Sequence, residues 1–125
     1  MGEISASYDM EKNLTHVKAT GTMTAEDFYR WLVTYYEGDI TLLTLWDLTQ
    51  ADILEISTDD VKEIARRTRK VASGARQGGK SALVFNTTSH YGMGRMFETY
   101  AELANLPFEF RAFQNFDDAK DWLGV

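Results

Sequence analysis

Cysteine is missing from this 125-residue chain, which removes disulfides, thiolate nucleophiles and thiolate metal sites from consideration. Long apolar runs are missing too, and none approaches the roughly 20 residues that a membrane-spanning helix needs. The N-terminus, MGEISASYD, lacks the basic start and apolar stretch of a secretion signal, and Ala6 stands where the myristoylation pattern requires Ser or Thr. A cytoplasmic protein with no integral membrane segment is therefore expected. Positive charge is scarce as well: 13 Lys and Arg face 19 Asp and Glu, for a net charge of −6. That balance argues against nucleic acid as a partner, because phosphate binding needs a basic surplus.

What is present is an ordinary globular composition, 44% hydrophobic and 26% charged, at a length suited to one domain over residues 1–125. The basic residues are clustered. Lys62, Arg66, Arg67, Arg69, Lys70, Arg76 and Lys80 all fall within one 19-residue stretch, so the remainder is strongly acidic.

Periodicity divides the chain into nine elements. Glu3–Met10 alternates as a half-buried strand, with Ile4, Ala6, Tyr8 and Met10 on one side, and Leu14–Thr20 pairs back as a hairpin. Thr24, with Asp27 three residues on, caps a helix that carries Phe28, Trp31, Leu32, Tyr35 and Tyr36 and stops at Gly38. Thr41–Leu48 is apolar on both faces, as in a covered strand, and a loop over Thr49–Ile56 follows. Ser57 or Thr58 caps a helix over roughly 59–73 whose stripe is Val61, Ile64, Ala65, Thr68, Val71 and Ala72.

Ser81–Phe85 is a second covered strand. A helix over about 90–104 turns Met93, Met96, Phe97, Tyr100, Leu103 and Ala104 inward. Pro107 opens an alternating strand, and Asn115 caps a final helix with Phe116, Ala119, Trp122 and Leu123 inward. The order ββαβαβαβα predicts an α/β domain: one five-stranded mixed sheet with four helices.

Residues 74–81, GARQGGKS, match the phosphate-loop pattern letter for letter. That loop works only between a preceding strand and a following helix, whose amides then converge on the phosphates. Here a helix precedes and a strand follows, so the segment reads as a glycine-rich turn. His16 and His90 belong to no metal-ligand spacing. Ser89 beside His90 lacks a third, orienting group for nucleophilic catalysis, and a capping role suits it better. The pairs Asp59/Asp60 and Asp117/Asp118 lie in first turns of helices, where they complement the dipole. No catalytic residue, metal or cofactor is expected from the residues themselves.

Three features point to binding. The basic run on the second helix could meet an acidic surface, although its interleaved Val61, Ile64 and Val71 read as an ordinary core stripe. The first helix carries Phe28, Tyr29, Trp31, Tyr35 and Tyr36, more aromatics than one packing stripe absorbs, which leaves surface for a pocket or a homodimer contact. The third feature is Lys80–Phe97, KSALVFNTTSHYGMGRMF, a strand running into a polar turn and a helix start with two glycines and one arginine. Open α/β sheets usually place ligands at the carboxyl ends of their strands. Trp46, Asp47, Thr87, Ser89, Tyr91 and Arg95 are accordingly the candidate lining of a crevice there, with Arg95 as its anion-fixing group.

The layout of DLTQAD after the third strand, SALVFN-x-x-x-x-YGMGRMFE after the fourth and FRAFQNFDDAKDWL at the end resembles the SpoIIAA-like family of STAS-related proteins. That group is in turn similar to the CRAL-TRIO lipid-binding fold. The resemblance implies a mixed sheet packed with helices and a non-enzymatic binding or regulatory role, with a small apolar or amphipathic ligand, or a protein partner, as the thing bound. Anti-anti-sigma factors of the wider class carry a phosphorylatable serine in a D-S-S-G motif. The matching segment, Asp52–Thr58, lacks that signature, although Ser57 or Thr58 stands in the equivalent place for a phospho-switch.

Overall fold

The computed structural model describes residues 2–38, 40–72 and 76–125. Strand β1 (Glu3–Asp9) pairs antiparallel with β2 (Leu14–Thr22), and α1 (Ala25–Glu37) follows. Then come β3 (Leu43–Asp52), α2 (Thr58–Val71), β4 (Lys80–Val84), α3 (Thr88–Leu103), β5 (Glu109–Phe113) and α4 (Phe116–Leu123). The sheet order is β1-β2-β3-β4-β5, and every pair after the first is parallel. The expected five-stranded mixed sheet with four helices is what forms.

This order explains the layering. A sheet that grows in one direction by crossovers of one hand must place the crossover helices on one face. Helices α1, α2 and α3 accordingly pack together there, whereas α4, which follows the last strand, lies on the other face against β4 and β5. Strand alternation agrees: Thr15, Val17 and Ala19 of β2 are buried towards the three helices, while His16 and Lys18 face outward on the side that α4 leaves open.

Local chemistry fixes the helix ends. Thr24 and Asp27 form a capping box on α1, Ser57 and Asp60 form one on α2, and Asn115 caps α4 by accepting from the Asp118 N–H. Between Ser57 and Thr58, Ser57 is therefore the α2 cap. In the GARQGGKS segment, residues 74 and 75 lie outside the described residues; Gly78 has φ +80°, where glycine carries no steric penalty, and Lys80 opens a strand. Lys80 Nζ donates to the Trp122 carbonyl at 2.9 Å on the α4 side, which occupies the amine that a phosphate loop would need.

Three expectations change in detail. Strand β3 runs on to Asp52 rather than ending at Leu48, because β2 shifts register between Lys18 and Thr20 and offers partners out to Thr22. Leu103 is 72% exposed, since it lies two residues, about 200°, round α3 from the buried Ala101. Strand β1 is an edge that ends at Asp9; its Tyr8 and the Met10 just beyond it are 44% and 66% exposed, because α1 lies over the strands further in and reaches only the Ile4 end.

Candidate functional site

Helix α2 packs against α1 and α3, and its Val61 and Ile64 share one buried core with Trp46, Leu48 and Leu83 of the sheet. Among these side chains, over β3 and β4, is a cavity of about 100 Å³. Its floor is Trp46 and Leu48 of β3 with Leu83 of β4 and Phe85 just beyond that strand. Phe28, Trp31 and Leu32 of α1 form one wall, and Met93, Gly94 and Phe97 of α3 form the other. Val61, Ile64 and Thr68 of α2 make the roof, and Ile53 and Ile56 close the end near the carboxyl ends of the strands.

The aromatic residues of α1 are organised around this space. Trp31 meets Trp46 edge-on at 4.6 Å and stacks on Tyr35 at 4.7 Å, while Phe28 lies 5.9 Å from Trp46. Tyr29 is held from outside by Arg67, whose guanidinium sits 3.8 Å over its ring. The excess of aromatics on the first helix is thus taken up largely by the cavity wall and by one cation–π contact.

Gly94 explains half of the YGMGR pattern. A Cβ there would collide with the Phe85 ring and come within 2.9 Å of Ala112 Cβ, so α3 depends on this glycine to approach β4 and β5. Gly92 has open space around it.

The polar end of the cavity lies at the amino ends of the strands, and its centre is Arg76. This side chain is only 2% exposed, and no carboxylate lies within 4.0 Å of it among the described residues. Its Nε donates to the Thr41 carbonyl at 3.0 Å. Its Nη2 donates to Ser81 Oγ at 3.0 Å and to the Leu42 and Lys80 carbonyls at 3.1 and 3.3 Å. The guanidinium lies 4.1 Å over the Phe108 ring.

Around it is a buried hydroxyl network. Thr44 Oγ1 donates to Ser81 Oγ at 2.6 Å, Thr15 and Thr41 share a 2.6 Å bond, and the Thr41 N–H donates to the Tyr35 hydroxyl at 3.0 Å. Tyr36 also borders the cavity. Burial raises its phenol above the ordinary pKa, opposed by the Arg76 charge and a hydrogen bond with Arg76, so it carries its proton at neutral pH.

The residues singled out in the sequence do not share one pocket. Trp46 lies in the cavity floor, but Asp47, the next residue on the strand, faces the opposite side of the sheet. There its Oδ1 accepts from the Thr49 N–H at 3.0 Å and the Thr49 hydroxyl at 2.6 Å, beside a polar groove that includes Ser5, Ser7, His16, Lys18 and Lys120. Thr87 caps α3 by accepting from the His90 N–H at 3.1 Å, Ser89 is exposed, and Tyr91 packs against the rim of the core.

Arg95 is 61% exposed and pairs with Glu98 at 3.5 Å, and its hydrogen bond to Tyr91 together with the Glu98 charge raises its pKa. Ser57 and Thr58 are exposed at the start of α2; Ser57 holds the Asp60 N–H, and Thr58 Oγ1 reaches Met96 Sδ at 3.8 Å. The buried cation beside the cavity is Arg76. It had been visible in the sequence only as one member of a basic run and of a glycine-rich turn.

Among the described residues no helix is long and apolar enough to cross a membrane, and no group of His, Asp and Glu could hold a metal ion. No protein-family model matches the chain, and no curated protein matches it. A solved structure does: an uncharacterized DUF3478-family protein with a SpoIIAA-like fold from Shewanella loihica PV-4. It is 23% identical, over 98% of this chain and 93% of that one, with a TM-score of 0.58. This chain has the SpoIIAA-like fold.

Proposed function

We propose that this SpoIIAA-like domain is a non-catalytic receptor, and that its ligand is a small, mainly apolar molecule lodged between the sheet and α2. The observation that carries the reading is the apolar space of about 100 Å³ in the middle of the main core. Protein interiors ordinarily close to crystal-like density, and an apolar void stays dry and open to an apolar guest. The guest is small, since at about 30 Å³ for a water-sized group the space takes three or four such groups.

The lining supports a receptor rather than an enzyme. Among the described residues that border the cavity there is no carboxylate, imidazole or amine to move a proton, so no general acid–base pair faces a guest. Aromatic and methionine side chains dominate the walls, and these adapt to an apolar molecule without directed chemistry.

Native mass spectrometry of the gently purified protein tests this. The expected result is a minor population carrying a small adduct that organic solvent releases. A bare mass, together with small apolar compounds that leave the melting temperature unchanged, would contradict the proposal.

A further inference from the structure

Arg76 is a buried cation whose partners among the described residues are all uncharged. Its Nε–H and its Nη2 N–H groups go to Thr41, Leu42, Lys80 and Ser81, all uncharged acceptors. The Tyr36 hydroxyl, on the same border of the cavity, lies within hydrogen-bonding reach of the Arg76 guanidinium and is likewise uncharged. A buried cation without an anion is costly, and carbonyl dipoles offset only part of that cost.

We propose that the ligand is a short-chain monocarboxylate, its carboxylate held by Arg76 and Tyr36 at the amino ends of β3 and β4 and its hydrocarbon tail in the apolar cavity. The inference rests on the receptor reading above and adds the head group. With Nε and Nη2 committed to the protein, Nη1 is the guanidinium nitrogen that can give a carboxylate oxygen a charge-assisted hydrogen bond, and the Tyr36 phenol O–H supplies a second donor. Tail length follows from volume: three or four water-sized groups fill the cavity, so acids of four or five carbons fit while longer chains require the walls to move. The Thr44 and Ser81 hydroxyls already bond to one another, so they leave Arg76 and Tyr36 as the recognition pair.

The test is a titration of the intact protein with the straight-chain acids from butyrate to octanoate and with their neutral amides, followed by the fluorescence of Trp31 and Trp46. Xenon serves as a headless apolar probe, followed by its NMR shift. The expected result is binding that peaks at about four or five carbons, with each acid at least about tenfold tighter than its amide, as a charge-assisted hydrogen bond gives. Arg76→Gln should remove that preference.

Because Arg76 also ties the start of β3 to β4, so that its loss endangers folding, Tyr36→Phe is the second variant, expected to weaken the acids severalfold and leave xenon unchanged. Amides binding as tightly as acids while xenon still enters would overturn the carboxylate assignment and leave the receptor. The same holds if Tyr36→Phe leaves the acids unaffected. Failure of xenon and of every acid and amide would overturn both.

Discussion

Filling the cavity should stabilise the protein, although most core enlargements do the reverse. Val61 is 4% exposed on α2 and borders the space from above. Residual cavities cost about 24 cal/mol per Å³, so about 100 Å³ sets an upper bound of about 2.4 kcal/mol on what filling could recover. Val61→Ile adds one methylene, worth about 0.8 kcal/mol if it enters existing space without moving its neighbours. With a urea m-value of about 1–3 kcal/mol/M, the midpoint should rise by about 0.3–0.8 M at unchanged m.

Ala82→Val is the control. Ala82 is 0% exposed between β4 and α4, in the smaller core on the opposite face, where no such space borders it. Overpacking there should cost about 1–3 kcal/mol. The reasoning is refuted if Val61→Ile lowers the midpoint as Ala82→Val does, because the space above Trp46 would then already be filled by its own walls.

Other substitutions probe the frame. Gly94→Ala should destabilise by about 1–3 kcal/mol through its collision with Phe85 and Ala112, whereas Gly92→Ala, in open space, should stabilise by up to about 1 kcal/mol; thermal melts of the two distinguish packing from a backbone approached by a ligand. Ser57→Ala should cost about 1 kcal/mol by removing the α2 cap, and Ser57→Asp, itself a good cap, should restore most of it in the same melts.

Asp27 gives a pH signature: burial pushes its carboxyl up, but the Thr24 N–H and hydroxyl and the Arg30 guanidinium outweigh this and leave it below 3.8. A depressed folded value contributes stability above the ordinary carboxylate range that is lost as pH falls through the folded value. Asp27→Asn should therefore be about 1 kcal/mol less stable at pH 7 and converge on the parent only as the pH falls through the depressed folded value, as read from denaturation midpoints.

What the sequence reveals here is what is decided locally. The caps at Thr24, Ser57 and Asn115 depend on a side chain meeting an N–H three residues away, so their patterns are visible in the letters. The order of helix, glycine turn and strand around Lys80 is likewise a local matter, and it is enough to separate this turn from a phosphate loop. Gly94 is half legible: the pattern marks a close approach but does not say to what.

The site is the opposite case. Trp46 and Asp47 are neighbours in sequence, yet strand alternation sends them to opposite faces, and only Trp46 reaches the cavity. Arg76 is buried by acceptors at Thr41 and Leu42, 35 and 34 residues earlier, and by Ser81 on the next strand. No spacing rule connects these positions before the strands pair. The space between α2 and the sheet depends on side chains of three helices and of the strands together. Periodicity gives the apolar stripe of α2 but not the room beside it.

Xenon-pressurised crystals provide the most direct measurement. The account predicts one ordered xenon atom between Trp46, Leu83 and Val61, displaced when valerate is added. A core that takes up no xenon, or takes it only in the polar groove beside Asp47, would contradict it.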